Sequence, residues 1–544
     1  MRVLLINPEF PGSFWSLQES CKLLGRKTLM PPLGLLTLAA LLPGDWELRL
    51  VDLNARQLRA DDWGWAEFVM LSGMIVQREG LLHLIREAKQ RRKTVVVGGP
   101  FATSVPRDIL EAGADFLVRG EGENTIPLWL AALQAGATHG VIEPDGQPDM
   151  TLSPVPRFDL LNLSDYIIVG IQTSRGCPFN CEFCDIVNLY GRKPRYKSAD
   201  QVLAELELLF NLGWKREVLI GDDNFIGNQT HARAILKKLI PWMQSHGEPF
   251  SFWTQVSANL GAHTVLVDLM TAANFSNVFI GVESPDEAVL VGNRKYQNLE
   301  NPLGQALTNI SANGLGVLPS FIMGFDQETK GAGDRICAFV EEHNLPVVML
   351  NLLQALPNTA LWDRLKQENR LTAIEASADM IEASFNFLPA RPAPEIVAEY
   401  IRTVDNLYEP TKFLARTYRH FLAMRPTRAA AGRPKPPGHG NPQDRSLFQA
   451  PGEDMLALLK LFWRQGIVAD YRWQFWRQLV GVCRQNPSRL TKYLIQCAMG
   501  ENLFAIRESL LARAGRFGAG QNAASLAGPA RPHAEPSLGR ATLD

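Results

Sequence analysis

The sequence predicts an α/β chain in three folded regions: a doubly wound (Rossmann- or flavodoxin-like) parallel sheet, a partial and open TIM-like (β/α)6 barrel, and an α-helical C-terminal domain. Three observations carry this. Apolar, β-branched runs alternate with amphipathic stretches of helical spacing through roughly the first 125 residues, as in strands buried on both faces beneath helices. A second such series holds six units, short of the eight that close a barrel. From about residue 395 the spacing is helical alone.

In the first series VLLIN (3–7), ELRLVD (47–52), FVMLSGM (68–74), TVVVGG (94–99) and DFLVRG (115–120) read as strands, with LGLLTLAALL and GLLHLIREAKQRR as helices between them. Turn-forming residues follow the strands: Asn7-Pro8, Ser72-Gly73, Gly98-Gly99-Pro100 and Gly120-Glu121-Gly122-Glu123. Ligands of open parallel sheets lie beyond the carboxyl ends of the strands, where glycine lets them approach the backbone. Any one of these turns reads as a plain strand-to-helix connection; four on one edge favour a bound ligand. This domain is expected to span 1–140, and the Pro-, Gly- and Asp-rich residues 141–165 read as a linker.

The second series, expected over 166–394, offers YIIVGIQTS (166–174), EVLIGDD (217–223), FSFWTQVSA (250–258), NVFIGVES (277–284), GVLPSFIMGF (316–325) and PVVMLNLLQAL (346–356) as strands. ADQVLAELELLFNLG and THARAILKKLIPWMQSHG read as helices between them. Polar residues gather where these strands end: Asp222-Asp223-Asn224, Gln255, Ser257, Glu283-Ser284 and Gln354. Barrel enzymes place their chemistry at that end. Each carboxylate also has a plain reading as a helix N-cap or an ion pair.

The helical region is expected over 395–516, broken by RPTRAAAGRPKPPGHGNPQ, with residues 517–544 read as a disordered tail. Between 411 and 510 there are 16 Lys/Arg against 6 Asp/Glu. With Trp463, Trp473, Phe475 and Trp476, that excess fits a face for an acidic partner or a membrane surface. The usual reading of such a pattern, and the one favoured here, is a helical cap with buried aromatics and solvated arginines.

Composition narrows the class. The 544 residues carry 55 Lys/Arg and 56 Asp/Glu, so no chain-wide field points to nucleic acid. Seven cysteines, an odd and unevenly spread number, fit a reducing compartment and not a disulfide framework. The N-terminal MRVLLINPEF lacks a signal-peptide pattern, and no apolar run is long enough to span a bilayer. The expected location is cytoplasmic.

Three of the cysteines, Cys177, Cys181 and Cys184, crowd into SRGCPFNCEFCDI with C-x3-C-x2-C spacing. Three thiolates on one short loop can converge on a soft metal centre. A structural zinc would need a fourth ligand, remote or from Asp185. A redox dithiol would leave Cys177 unexplained. A cluster with one iron open to an external ligand uses all three thiolates.

C-x3-C-x-Φ-C, with Phe183 as the aromatic, resembles the signature of radical S-adenosylmethionine enzymes. PPLGLLTLAALLP, GGPFATSVP, GADFLVRGEGE and PVPRFDLL resemble the N-terminal half of their cobalamin-binding members, and VLIGDDNFIGN, FIGVESPDE, FIMGFDQET and LQALPNTALWDRL resemble the barrel. Residues from about 395 resemble the helical domain of a subgroup that includes hopanoid C-2 methyltransferases. The resemblance implies a 4Fe-4S cluster on Cys177, Cys181 and Cys184, with S-adenosylmethionine on its open iron. It implies cobalamin in the doubly wound domain, beside Ser72, Gly73, Gly98, Gly99, Gly120, Glu121 and Gly122. Phe183 is then expected near the adenine, Asp222, Asp223 and Asn224 at the methionyl amine or ribose, and Gln255, Ser257 and Glu283 at the ribose or the substrate cavity.

The implied reaction is methyl transfer to an unactivated carbon of an apolar polycyclic substrate, with a hopanoid-like lipid as the first expectation. Ring closure or rearrangement on a tetrapyrrole or another scaffold, without net methyl transfer, is the second. The implied partners are a small-molecule or lipid substrate, an electron donor such as flavodoxin or ferredoxin, and peripheral contact with the inner membrane face through the C-terminal domain.

Overall fold

The structure, a computed structural model, describes residues 1–12, 16–372, 383–428, 430–431 and 451–520. Most of the expected Pro/Gly-rich insert and the tail from residue 521 lie outside these. The last helix, Leu490–Gly520, runs past the expected domain end at 516.

Six parallel strands form the first sheet: β1 (Arg2–Asn7), β2 (Glu47–Asp52), β3 (Phe68–Ser72), β4 (Thr94–Gly98), β5 (Phe116–Val118) and β6 (Gly140–Ile142), in spatial order β2-β1-β3-β4-β5-β6. The order reverses between β1 and β3, the switch point of a flavodoxin-like sheet. Alternate residues feed two separate cores. Leu4, Ile6, Val69, Leu71, Val95 and Val97 pack on one face, and Val3, Leu5, Met70 and Val96 on the other, as the two-residue strand period demands. β6 was not expected and straddles the 140/141 domain boundary. Gly-Val-Ile is too short to show a period and is recognised only by pairing with β5.

The second sheet is parallel throughout. It starts at β7 (Ile168–Ile171), passes a two-stranded antiparallel ribbon of β8 (Ser174–Arg175) and β9 (Arg195–Tyr196), and continues through β10 (Glu217–Ile220), β11 (Ser251–Gln255), β12 (Phe275–Glu283), β13 (Gly316–Met323) and β14 (Met349–Leu352). The order β7-β10-β11-β12-β13-β14 follows the chain and does not close. This is the open six-stranded barrel.

Both open edges are covered. Beside β7, Thr28 forms a parallel bridge with Tyr166, and Ile168 N–H donates to Leu29 O at 2.9 Å. At β14, the Tyr400 hydroxyl of helix Ala393–Leu407 donates to Leu350 O at 3.4 Å, and Tyr408 just beyond it donates to Val348 O at 2.7 Å. Unpaired strand edges carry unsatisfied backbone groups, and these contacts cover them.

Helices Pro410–Ala423, Pro451–Trp463, Arg472–Gln485 and Leu490–Gly520 complete the C-terminal domain. Its aromatics divide. Phe475 is fully buried, but Trp463 is 60% and Trp473 75% exposed, which overturns the expectation of a cap with its aromatics inside. Helical spacing shows which residues share a stripe, but not whether a neighbour covers it.

His420, near the end of helix Pro410–Ala423, is buried. A cation at a helix C-terminus is ordinarily favoured. Burial outweighs that here and, against a bond to the Asn344 backbone, holds the imidazole down at about 4. An unfolded histidine titrates near 6.5. The unfolded chain therefore binds this proton first, so the contribution to stability is complete above pH 6.5 and is lost as pH falls toward 4. His420→Gln is expected to flatten that part of the profile of unfolding free energy against pH by about 3 kcal/mol. A profile identical to the parent's would show an imidazole that titrates freely.

Candidate active site

β7 runs into the loop that carries the three thiols, and neighbours pin its turns. Asp222, just past β10, accepts hydrogen bonds from the backbone N–H of Thr173 (2.7 Å) and Ser174 (3.0 Å) and from both of their hydroxyls. Asp223 accepts from Gly176 N–H at 2.7 Å. Gly176 has φ 96°, and a Cβ there would fall 3.0 Å from the carbonyl oxygens of Tyr190 and Gly191. Only glycine meets both conditions. Cys177 N–H donates to Gly191 O and Cys184 N–H to Cys181 O, each at 3.2 Å.

The thiols of Cys177, Cys181 and Cys184 are unbridged and half-buried. Burial pushes Cys184 up to about 12; the facing Cys181 adds to the rise and Lys295 opposes it. Among the described residues no three His, Cys, Asp or Glu side chains lie close enough to share one ion. Three soft thiolates on one short loop are the donor set of an iron–sulfur cluster, which takes one thiolate on each of three irons.

Lys295 faces the thiols, and sequence reasoning missed it. Its Nζ lies 2.6 Å from Glu283 Oε1 and 6.0 Å from the centroid of the Phe183 ring. Burial favours loss of its proton, but Glu283 and the nearby thiols outweigh that and hold the ammonium charged. Glu283 sits at φ 65°, where β12 shifts register against β13, a strained conformation for a residue with a side chain. Gln297 Nε2 donates to Cys181 Sγ at 3.6 Å. The sequence signal was GNRKYQN (292–298), a cluster of amides and bases between elements.

A charged network joins the two α/β domains. The Arg175 guanidinium, two residues before Cys177, lies 2.8 Å from Glu121 Oε2 and 2.8 Å from Glu123 Oε2, and Arg195 lies 2.7 Å from Glu121 Oε1. All four side chains are buried or nearly so. Glu121, expected as a ligand-cradle residue, is thus engaged by two arginines.

The carboxyl ends of both sheets open on one cavity of about 450 Å³. Ser72, Gly73, Gly98, Gly99, Gly120, Glu121 and Gly122 all line it, facing Gly170, Gln172 and Gly221 of the barrel. Gly99 has φ 90°, and a Cβ there would lie 2.2 Å from Ser72 Oγ.

The remaining expected residues lie off this wall. Asp222 is 1% exposed and already has four donors, so it anchors the thiol loop and is not free to bind a ligand. The helix that follows is capped by Asn228 instead. Asn224 exchanges hydrogen bonds with Ser257, at 3.2 and 3.3 Å. Gln255 ends β11. The Phe183 ring packs on Phe325 with centroids 5.6 Å apart.

Comparison with known proteins adds the following. The model of the B12 binding domain matches residues 23–129, that of the Radical SAM superfamily 171–340, and that of a domain of unknown function 359–515. An uncharacterized methyltransferase of Synechocystis sp. is 46% identical over 510 residues, covering 93% of this chain and 92% of its own. Hopanoid C-2 methylase of Rhodopseudomonas palustris is 35% identical over 485 residues, 88% of each chain. Among solved structures, the radical S-adenosylmethionine methyltransferase TsrM from Kitasatospora setae, with cobalamin and a 4Fe-4S cluster bound, aligns with a TM-score of 0.55 at 15% identity, over 84% of this chain and 98% of that one. The cobalamin-dependent radical enzyme OxsB aligns with a TM-score of 0.56 at 16% identity, over 95% of this chain and 80% of that one.

Proposed function

The chain belongs to the cobalamin-binding radical S-adenosylmethionine enzymes, in the group that includes hopanoid C-2 methylases, and from that we propose that it methylates an unactivated carbon of an apolar polycyclic lipid with a hopanoid-like skeleton. At the coarser level it is a cobalamin-dependent radical S-adenosylmethionine methyltransferase, using a 4Fe-4S cluster, S-adenosylmethionine and cobalamin. The observation that carries the substrate is the 35% identity to hopanoid C-2 methylase, which at 88% coverage of both chains extends beyond the two α/β domains.

The residues present fit these groups. Cys177, Cys181 and Cys184 form a soft, unbridged donor set on one loop and would hold a cluster that keeps a coordination site for S-adenosylmethionine. The glycine-walled cavity, where Gly99 has no room for a Cβ, would take the corrinoid. A cluster held by Cys177, Cys181 and Cys184 would supply the electron for reductive cleavage of S-adenosylmethionine, and a corrinoid held in the glycine-walled cavity would supply the methyl group.

The protein's own part is placement and charge. Asp222 and Asp223 hold the thiol loop against β10. Lys295 sets a buried positive charge beside the thiolates, where it would offset the negative charge of the cluster. Phe183 would pack near the adenine, with Asn224, Gln255, Ser257 and Glu283 at the ribose or the substrate. Electrons would come from a flavodoxin or ferredoxin, and the C-terminal helices would meet the membrane. No helix among the described residues is long and apolar enough to cross one.

Anaerobically reconstituted enzyme, given deuteromethyl S-adenosylmethionine and a hopanoid lipid, is expected to return the lipid with one labelled methyl group. Product formed without label would overturn methyl transfer in favour of ring chemistry. Gly99→Ala tests the cradle. The φ of 90° with ψ of −173° costs a residue with a side chain about 1–3 kcal/mol, and the added methyl strikes Ser72. The variant is expected to lose bound corrinoid on gel filtration while keeping its iron.

A further inference from the structure

Behind the covered edge at β7 lies a second, apolar and partly open cleft. Ile167, Ile168 and Leu29 form one wall, and Leu458, Leu461 and Ala498 of the C-terminal helices form the other. Ser20 and Glu217 are its polar lining residues, and Ser20 Oγ is buried without a hydrogen-bond partner.

The outer side of the same helical layer is also apolar. Leu456, Leu459, Trp463, Ile467, Val468 and Trp473 are 53–75% exposed. Leu456, Leu459 and Trp463 fall on one stripe of helix Pro451–Trp463, whose opposite side supplies Leu458 and Leu461 to the cleft. Lys460, Arg472, Arg477 and Arg484 lie in the stretch 455–490 with Asp470 as its one acidic residue, whereas Arg464 pairs with Glu501 and Arg489 is buried. Exposed apolar side chains with interspersed bases and two exposed tryptophans match an anionic bilayer surface.

The cleft comes close to the reaction cavity. Leu29 lines the cleft and Met30 the cavity; Ile168 lines the cleft and Gly170 the cavity. A Cβ on Gly170 would lie 3.3 Å from Met30 Sδ, so Met30 packs on β7 at the cavity while its chain neighbour Leu29 lines the cleft.

We propose that this cleft is a lipid-binding site, which takes the apolar skeleton of a lipid from an anionic bilayer carrying the Trp463–Trp473 face and holds it behind Leu29–Met30, next to the reaction cavity. The inference rests on the reading of the substrate as a lipid. The occupant is a lipid because the cleft wall is nearly free of polar groups and shares a helix with the membrane-like face.

The test uses the full-length reconstituted enzyme with phosphatidylglycerol vesicles containing a diazirine-bearing triterpene, followed by photolysis and peptide mapping. Labelling is expected within 451–468 and 490–499. Ala498→Trp, which fills the cleft, should lower it about tenfold without changing flotation on vesicles. Trp473→Glu should weaken flotation on phosphatidylglycerol. Leu458→Phe is a milder filling variant with the same expected direction should Ala498→Trp not fold.

Labelling unchanged by either filling variant would overturn the site. So would a cleft labelled only after deletion of 432–450, which would make it the seat of that segment. A dimer that Trp473→Glu converts to monomer would overturn the membrane face by assigning it to a second copy. Methylation is scored separately. A lipid labelled in the cleft but never methylated sinks the substrate assignment and leaves the site, whereas a lipid methylated with the cleft unlabelled sinks the site alone.

Discussion

Cys181→Ala is expected to yield a folded protein with little iron, no 5′-deoxyadenosine above that of a cluster-free control and no methylated product. The fold survives because the loop is pinned by contacts that do not involve its sulfurs: Asp222 to Thr173 and Ser174, Asp223 to Gly176, and Cys177 N–H to Gly191. The cluster does not survive, because two thiolates and one open iron leave two corners without protein ligands. Gln297, whose amide donates to this sulfur, cannot replace it. Iron and sulfide analysis, far-UV circular dichroism and product mass together check the result. A variant that keeps its full iron complement and still forms 5′-deoxyadenosine would show that the three thiols are not the ligand set.

Arg175→Met separates two effects that the cysteine variant merges. Methionine keeps the apolar reach of the side chain but abandons Glu121 and Glu123, whose side chains are 4% and 1% exposed. Breaking a buried ion pair from one side costs about 3–5 kcal/mol, because the partner charge stays buried and unpaired. Arg195 remains on Glu121, so the greater loss falls on Glu123, whose carboxyl Arg175 holds below its usual range against the opposing effect of burial. The corrinoid domain is then no longer fixed against the thiol loop. The variant is expected to retain iron and to cleave S-adenosylmethionine, while methylated product falls at least about a hundredfold. Arg175→Lys should recover part of the charge and little of the geometry, since an ammonium cannot bridge two carboxylates as a guanidinium does. Equal losses of S-adenosylmethionine cleavage and methylation would place Arg175 in cluster assembly instead.

Much of this architecture is local and therefore legible in the chain. The β/α alternation is visible because each strand is an apolar run flanked by turn residues, and the doubly wound sheet feeds its two cores with alternate residues of the same strands. Even there the edge strand β6 escapes, since three residues hold no period. The thiol loop is legible because its ligands fall within eight positions and the spacing itself implies convergence.

Asp222 shows the limit. Its place at a strand end suggested a ligand contact, but the hydroxyls and backbone N–H groups of Thr173 and Ser174, just past β7, occupy it instead. The sequence by itself determined the three-part architecture, the thiol loop and the glycine-lined crevice, because each is written in residues near one another along the chain. The tertiary structure alone decided that Lys295 sits beside the thiol loop, that Glu121 and Glu123 belong to Arg175, and that Trp463 and Trp473 face outward. Those pairings span 54 residues from Glu121 to Arg175 and 116 from Cys181 to Gln297. No spacing rule reaches so far, because a charge or an apolar ring takes its role from whichever side chain the folded core brings beside it.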